Sequence, residues 1–344
     1  MSNPIIDVFT VFGAVPPRTT EPGTAKLVAS MDRLGVQRAL TISTRGIYHS
    51  ANAGNRETAA NCGQSGGKLK VQTFFDGSLG ADAAVLQQLR TGSVDILVTA
   101  TSYLATVAPA AGVFDLPFLF ADEKEADGVL DGKTGELIAQ KIQAAGVVTL
   151  AYWENGFRNM TNSRRPIQRL EDMQNLKFRV LPTPVMLAAF KAMGAFAVPM
   201  PFPELYSALE TKTVDGQENP TNLIESVKFY EVQKFLSVTN HVYSPWIVLV
   251  SKKWWDGLSK AEQKVLLDAA RASRDFERKD TRDEATKALA DLKAKGMQIN
   301  ELPAAEVARM RDKLTHVNAS IATNIGMDLW KDTQTELAKI RAKK

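Results

Sequence analysis

The sequence predicts an α/β fold in two units, and three observations carry that reading. Apolar runs of strand length alternate with runs of helical spacing. The alternation restarts after Arg158. One stretch free of Gly and Pro, more than thirty residues long, extends from Ser259 to Gly296. A chain of 344 residues is long enough for two domains with cores of their own.

In the first unit, residues 68–75 alternate as a strand, with Leu69, Val71 and Thr73 on one face, and Asp76-Gly77 turns it. Residues 81–91 read as a helix with Ala84, Leu86 and Leu89 on its apolar side. Residues 94–100 form a buried strand, 109–120 an irregular apolar loop around Pro117, 123–145 a helix, and 147–153 a further buried strand. Continuous apolar strands separated by helices point to a largely parallel sheet covered on both faces. In the second unit, 176–181 and 195–200 are strands, and 184–193 and 203–211 are helices. The Asn219-Pro220 turn leads into a helix at 223–230, and 241–251 is a long apolar strand returning toward the first unit. At Ser259 a capping box is expected, with Ser259 and Glu262 each satisfying an orphan donor. Val265, Leu266, Ala269, Ala270 and Phe276 then follow helical spacing, while the charges of 274–280 mark a solvated face. At 1.5 Å per residue such a helix spans roughly 50 Å, enough to cross two domains.

Composition excludes several roles. A net charge of +4, spread along the chain with no basic stripe interleaved with aromatics, argues against nucleic acid. Cys62 is the single cysteine, so no internal disulfide can form. No apolar run reaches the roughly 18 residues of a membrane span. The N-terminus lacks a basic segment and Asp7 interrupts its apolar residues, so it does not read as a secretory signal. His49, His241 and His316 are scattered and not at metal-ligand spacing, and no cofactor motif is present.

The candidate site residues lie in short segments. Arg158 stands in Asn155-Gly156-Phe157-Arg158-Asn159, and Arg179 interrupts the apolar run Leu176-Lys177-Phe178-Arg179-Val180. Asn219 ends Val214-Asp215-Gly216-Gln217-Glu218-Asn219 before Pro220. On pattern alone Arg179 fits either an exposed charge alternating with Phe178 and Val180 or a group held for an anion. Arg158 fits a loop cap equally well, and Asn219 a turn residue. Two arginines and an asparagine on such elements can capture an organic acid, which points to binding rather than chemistry. Softer candidates are Tyr103, which follows a strand end where ligands gather in α/β sheets, Trp153, Phe157, Glu218 and Trp246. Aromatics there fit an apolar part of a ligand or the core.

From about residue 66 to the C-terminus the chain resembles the substrate-binding proteins of TRAP transporters, the DctP-like family. The markers are Ser65-Gly66-Gly67-Lys68-Leu69-Lys70-Val71, Leu116-Pro117-Phe118-Leu119-Phe120, the two arginine segments, Val214 to Pro220, and Phe229-Tyr230-Glu231-Val232-Gln233-Lys234. The resemblance implies a two-lobed, Venus-flytrap α/β fold with a long helix bridging both lobes. The expected division is residues 36–154 plus 245–284 for lobe I and 155–244 plus 285–344 for lobe II. It implies that Arg179 pairs with a ligand carboxylate, with Arg158 beside it and Asn219 donating a further hydrogen bond. A guanidinium presents a planar fork that meets both carboxylate oxygens, which lysine cannot do. It also implies a monomeric, non-enzymatic periplasmic receptor that hands a small organic acid to the integral membrane subunits of a TRAP transporter.

Residues 1–62 bear a different resemblance, to the opening of a metal-dependent amidohydrolase barrel. Pro4-Ile5-Ile6-Asp7-Val8-Phe9-Thr10-Val11-Phe12-Gly13 matches its first strand, 24–34 a helix and 36–43 the next strand. In that superfamily the first strand carries an Asp-x-His-x-His arrangement. Phe9 and Val11 stand at the histidine positions here, and neither can bind a metal. A barrel needs about 250 residues, so a working hydrolase is rejected, leaving a fusion as the reading. Residues 1–35 are expected to be an appendage, and the strand at 38–43 with a helix at 51–62 to replace the first β-α unit of lobe I. The competing readings are an amidohydrolase-like protein and a non-functional fusion.

Overall fold

The computed structural model describes Phe74, residues 78–344 and the backbones of Thr10–Phe12 and Thr41–Ser43. The expected strand at 68–75 apart from Phe74, the helices at 24–34 and 51–62, Cys62 and His49 lie outside the described residues, as do all but three residues in each of the strands expected at 4–13 and 36–43. Those threes are strands: β1 (Thr10–Phe12) pairs in parallel with β2 (Thr41–Ser43).

The remaining strands are β3 (Ile96–Ala100), β4 (Val147–Asn162), β5 (Lys177–Val180), β6 (Phe196–Pro199), β7 (Gly216–Asn219), β8 (Phe235–Ser251) and β9 (Gln298–Glu301). They form one sheet in the order β3-β8-β4-β7-β5-β6, with β9 beside β8. The largely parallel sheet expected from the apolar runs is corrected here. Among the described residues the β3/β8, β4/β8 and β4/β7 pairs of this sheet are antiparallel, and only β5/β6, β5/β7 and β8/β9 are parallel. An apolar run shows that a strand is buried on both faces, not which way its neighbour travels. The direction is set by β8, which crosses the molecule against β4.

The helices are α1 (Asp82–Thr91), α2 (Glu123–Leu130), α3 (Lys133–Gln143), α4 (Pro184–Ala192), α5 (Leu205–Glu210), α6 (Thr221–Ser226), α7 (Lys252–Asp256), α8 (Lys260–Ala294), α9 (Ala304–Ile325) and α10 (Met327–Arg341). The single helix expected over 123–145 is two, because the chain turns extended at Gly132. A Cβ there would lie 2.1 Å from Glu336 Oε1. That carboxylate accepts the N–H groups of Lys133 and Thr134 at 2.9 Å each, so α10 supplies the missing cap of α3. The helix expected at 223–230 also ends early, at Ser226, where Lys228 takes a left-handed conformation (φ 58°).

β4 runs on past Trp153, where the sequence suggested it would end. Its ladder with β8 shifts register between Glu154 and Gly156 and again between Arg158 and Met160. Gly156 has φ +113°, a conformation that side chains resist, and this permits the first irregularity. At the second, Asn159 Oδ1 accepts the N–H groups of Thr239 (2.9 Å) and Asn240 (3.0 Å), which the ladder leaves unpaired.

The Ser259 capping box forms as expected, and α8 is 35 residues long. Leu266 and Ala270 join a core cluster with Val148, Trp153 and Val250, whereas Leu292 joins another with Leu209, Ile224 and Leu236. At 1.5 Å per residue Leu266 and Leu292 stand about 39 Å apart, so the helix connects two separate cores. Three arginines one helical turn apart fasten its middle. Arg274 meets Asp131 at 3.1 Å, Arg278 meets Asp131 and Asp127 at 2.7 and 3.1 Å, and Arg282 meets Glu154 and Asp127 at 2.6 and 2.8 Å. The charges read as a solvated face are thus partly an anchor, because their acidic partners lie on or just beyond α2 and on β4. No described helix is long and apolar enough to cross a membrane.

Candidate ligand-binding site

The order β8-β4-β7-β5 places four groups side by side across the sheet: His241, Arg158, Glu218-Asn219 and Arg179. All are buried. Arg158 Nε and Nη2 donate to the two carboxylate oxygens of Glu218 at 2.5 and 2.8 Å, and Nη2 also donates to Asn219 Oδ1 at 2.9 Å. His241 Nε2 lies 3.3 Å from the same Glu218 carboxylate, and its Nδ1 lies 2.8 Å from Thr239 Oγ1. Burial alone would raise the Glu218 carboxyl, but Arg158 and His241 outweigh it and hold it at about 2. Asn219 Nδ2 donates to Gln217 Oε1 at 2.5 Å, and Gln217 in turn donates to Thr161 at 2.8 Å. Arg158 is therefore largely neutralised from within the protein, and its Nη1 makes no hydrogen bond among the described residues.

Arg179 is in the opposite condition. Its Nε donates to the carbonyl of Met200 at 2.8 Å, and its guanidinium carbon lies 5.9 Å from the Phe202 ring centre. Both terminal nitrogens are buried and have no hydrogen-bond partner among the described residues. Burial weakens the guanidinium's hold on its proton, Tyr103 and Glu218 oppose that, and Arg158 adds to it. A buried cation with both fork nitrogens unmet is costly unless an anion completes it. Such a fork donates to a carboxylate's two oxygens in parallel.

Tyr103 belongs with these groups. It is buried, and burial raises its hydroxyl to about 12, with Asp82 adding to the rise and Arg179 and Arg158 opposing it. Phe157, beside Arg158 in sequence, packs edge-on to Tyr243, with ring centres 5.1 Å apart. Tyr103, Arg158, Arg179, Glu218 and Asn219 are thus gathered in one region, whereas Phe157, the strand neighbour of Arg158, packs on Tyr243. Trp153 is not among them: it is fully buried in the cluster formed with Val148, Trp255 and Leu266 beneath α8. Trp246, opposite Trp153 in the ladder, is partly buried and packs against the cores on both sides of the sheet.

Two groups in this region stand outside the sequence candidates. His241, one of three scattered histidines in the sequence, braces Glu218. Asp115 is fully buried; Ser102 Oγ donates to its Oδ1 at 2.6 Å. Burial raises its carboxyl to about 7, against the pull of Ser102 and Arg158, and Glu218 adds to the rise. The signal was a single acid inside the apolar run Phe114-Asp115-Leu116-Pro117-Phe118. Among the described residues, no three His, Cys, Asp or Glu side chains gather as a metal site.

The arrangement is that of a receptor for an anion, and the chain belongs to the bacterial extracellular solute-binding protein family 7, the DctP family, which it matches over residues 58–324. Among its relatives, the 2,3-diketo-L-gulonate-binding periplasmic protein YiaO of Escherichia coli (strain K12) is 40% identical over 233 residues, 68% of this chain and 71% of the relative. Among solved structures, the sugar acid binding protein of Advenella mimigardefordensis strain DPN7T in complex with galactonate is similar with a TM-score of 0.78. It is 38% identical and is covered over 98% of its length by 97% of this chain. A TRAP periplasmic solute binding protein from Polaromonas sp. JS666, bound to D-erythronate, gives a TM-score of 0.75 at 32% identity over 98% of this chain and 99% of that one. The fold is the two-lobed one of these proteins, with α8 as the bridging helix. The family match leaves residues 1–57 outside it, and no finding supports the amidohydrolase resemblance of that end.

Proposed function

We propose that the chain is a periplasmic receptor for a small organic acid whose carboxylate is gripped by Arg179 as two lobes close, and that it delivers the acid to the membrane subunits of a TRAP transporter. The observation carrying this reading is the buried Arg179 fork, whose two terminal nitrogens lack partners among the described residues. Arg158 offers its remaining nitrogen to the same carboxylate, and Asn219 its second amide hydrogen. With Arg158 balanced by Glu218, the pair contributes no net charge, and the single positive charge of Arg179 matches one carboxylate. Tyr103 stands with the arginines, Phe157 follows Gly156 beside Arg158 along β4, Glu218 orients Arg158, and Trp153 and Trp246 act through the core rather than by touching ligand.

The relatives support a sugar acid as the ligand class: the solved ones hold galactonate and D-erythronate, and YiaO is named for 2,3-diketo-L-gulonate. Lobe I takes in 36–154 and 245–284, and lobe II 155–244 and most of the remainder. α10 packs on α2 and α3 and is better counted with lobe I. Ligand contacts made only in the closed form then shift the lobes toward closure. A thermal-shift screen over aldonic, keto, dicarboxylic and aromatic acids tests the reading. A rise in melting temperature with one class supports it, and no rise with any acid contradicts it.

A further inference from the structure

Asp115 buries a carboxylate oxygen that nothing described satisfies. Ser102 Oγ holds Oδ1 at 2.6 Å, while Oδ2 is without a hydrogen-bond partner among the described residues. Thr101, the neighbour of Ser102, buries a second oxygen, Oγ1, in the same condition. Both residues sit where β3 ends and the chain turns into the segment carrying Tyr103, whose hydroxyl feels both arginines. Asp115 closes the adjoining turn Pro109–Asp115, within electrostatic reach of Arg158 and Glu218. Three residues on, Phe118 donates its N–H to the His241 carbonyl at 2.8 Å, and the His241 ring meets Glu218 at 3.3 Å, so the carboxylate clamp is flanked by a buried acceptor that Ser102 fixes in orientation.

Resting on the proposed carboxylate grip of Arg179, we infer that Asp115, held by Ser102, is a hydroxyl-reading subsite that selects hydroxylated monocarboxylic acids over aliphatic and dicarboxylic ones. A ligand hydroxyl donates to Oδ2 and completes it. An alkyl chain leaves that oxygen buried and unpaired, and a second carboxylate has no hydrogen to donate to it. Both penalties work against the wrong ligand without strengthening the grip on the shared carboxylate, which is how a site that reads a hydroxyl discriminates.

The test is calorimetric titration of the purified full chain with gluconate, hexanoate and succinate, for the unaltered protein and for Asp115→Leu, Asp115→Asn and Arg179→Ala. The unaltered protein is expected to favour gluconate over both other acids by about tenfold or more, as for one buried acceptor left unpaired. Asp115→Leu should lose gluconate affinity by a similar factor and change hexanoate affinity by less than about threefold. If Asp115→Leu does not fold, as judged by circular dichroism, Asp115→Asn decides: an amide that can donate to a carboxylate should narrow the gluconate-to-succinate ratio by about tenfold. Unchanged ratios in the Asp115 variants, with binding lost in Arg179→Ala, overturn this inference alone. Binding undiminished in Arg179→Ala overturns the carboxylate grip, and this inference with it.

Discussion

Replacing Glu218 by alanine leaves Arg158 buried with its counter-charge gone, and the structure sets the size of the effect. The Glu218 side chain is fully buried, Arg158 is 2% exposed, and the two share hydrogen bonds at 2.5 and 2.8 Å, so water cannot take the carboxylate's place cheaply. Breaking one side of such a pair costs about 3–5 kcal/mol. Urea unfolding followed by circular dichroism should register a loss of that order. Arg158→Met combined with Glu218→Leu should recover much of it, because the penalty comes from the orphaned charge rather than the missing attraction. The pH dependence has a definite sign. The Glu218 carboxyl is depressed from its ordinary 4.5 to about 2, so its stabilisation is complete above 4.5 and is lost as pH falls toward 2. Glu218→Gln should flatten the stability profile over that window. A Glu218→Ala loss under about 1 kcal/mol, or a double variant no better than the single, would refute the argument.

Three further outcomes follow from contacts elsewhere. Arg278→Ala removes the pair with Asp131 and the donor to the Tyr152 carbonyl (2.9 Å), and should cost about 3 kcal/mol in urea unfolding. Ser259→Ala breaks the capping box at the start of α8 and should cost about 1 kcal/mol by the same measurement. Gly156→Ala places a side chain at φ +113° and should lower the melting temperature by several degrees, a drop of about 1–3 kcal/mol, although its Cβ would meet nothing closer than Pro220 at 3.5 Å.

Much of the fold was legible because its signals are local. The Ser259-Glu262 box, the periodicity of α8, and the β5-α4-β6 succession each rest on neighbours in sequence. Strand direction is not local. β3, β4 and β8 show the same apolar runs whichever way they pair, and their antiparallel ladders depend on a return strand some ninety residues after β4 begins. The continuation of β4 through Asn155-Gly156 was hidden because Asn159 and Gly156 repair the ladder in ways only the folded strand reveals. At the site, Arg179 stood out as a charge in an apolar strand. Arg158 looked equivalent in sequence and is not, because its partner Glu218 lies sixty residues away. Asp115 and His241 acquire meaning only from Ser102 and Glu218, and no spacing rule connects either pair.

The central claim is that Arg179 holds the ligand's carboxylate through its two terminal nitrogens. Isothermal titration of the acid that gives the largest thermal shift, against the unaltered chain, Arg179→Lys and Arg179→Ala, tests it most directly. The account predicts that Arg179→Ala loses about 2–5 kcal/mol of binding, roughly thirtyfold or more. Arg179→Lys should fall between, since an ammonium supplies charge without the fork. Binding by Arg179→Ala within about threefold of the unaltered protein would contradict it.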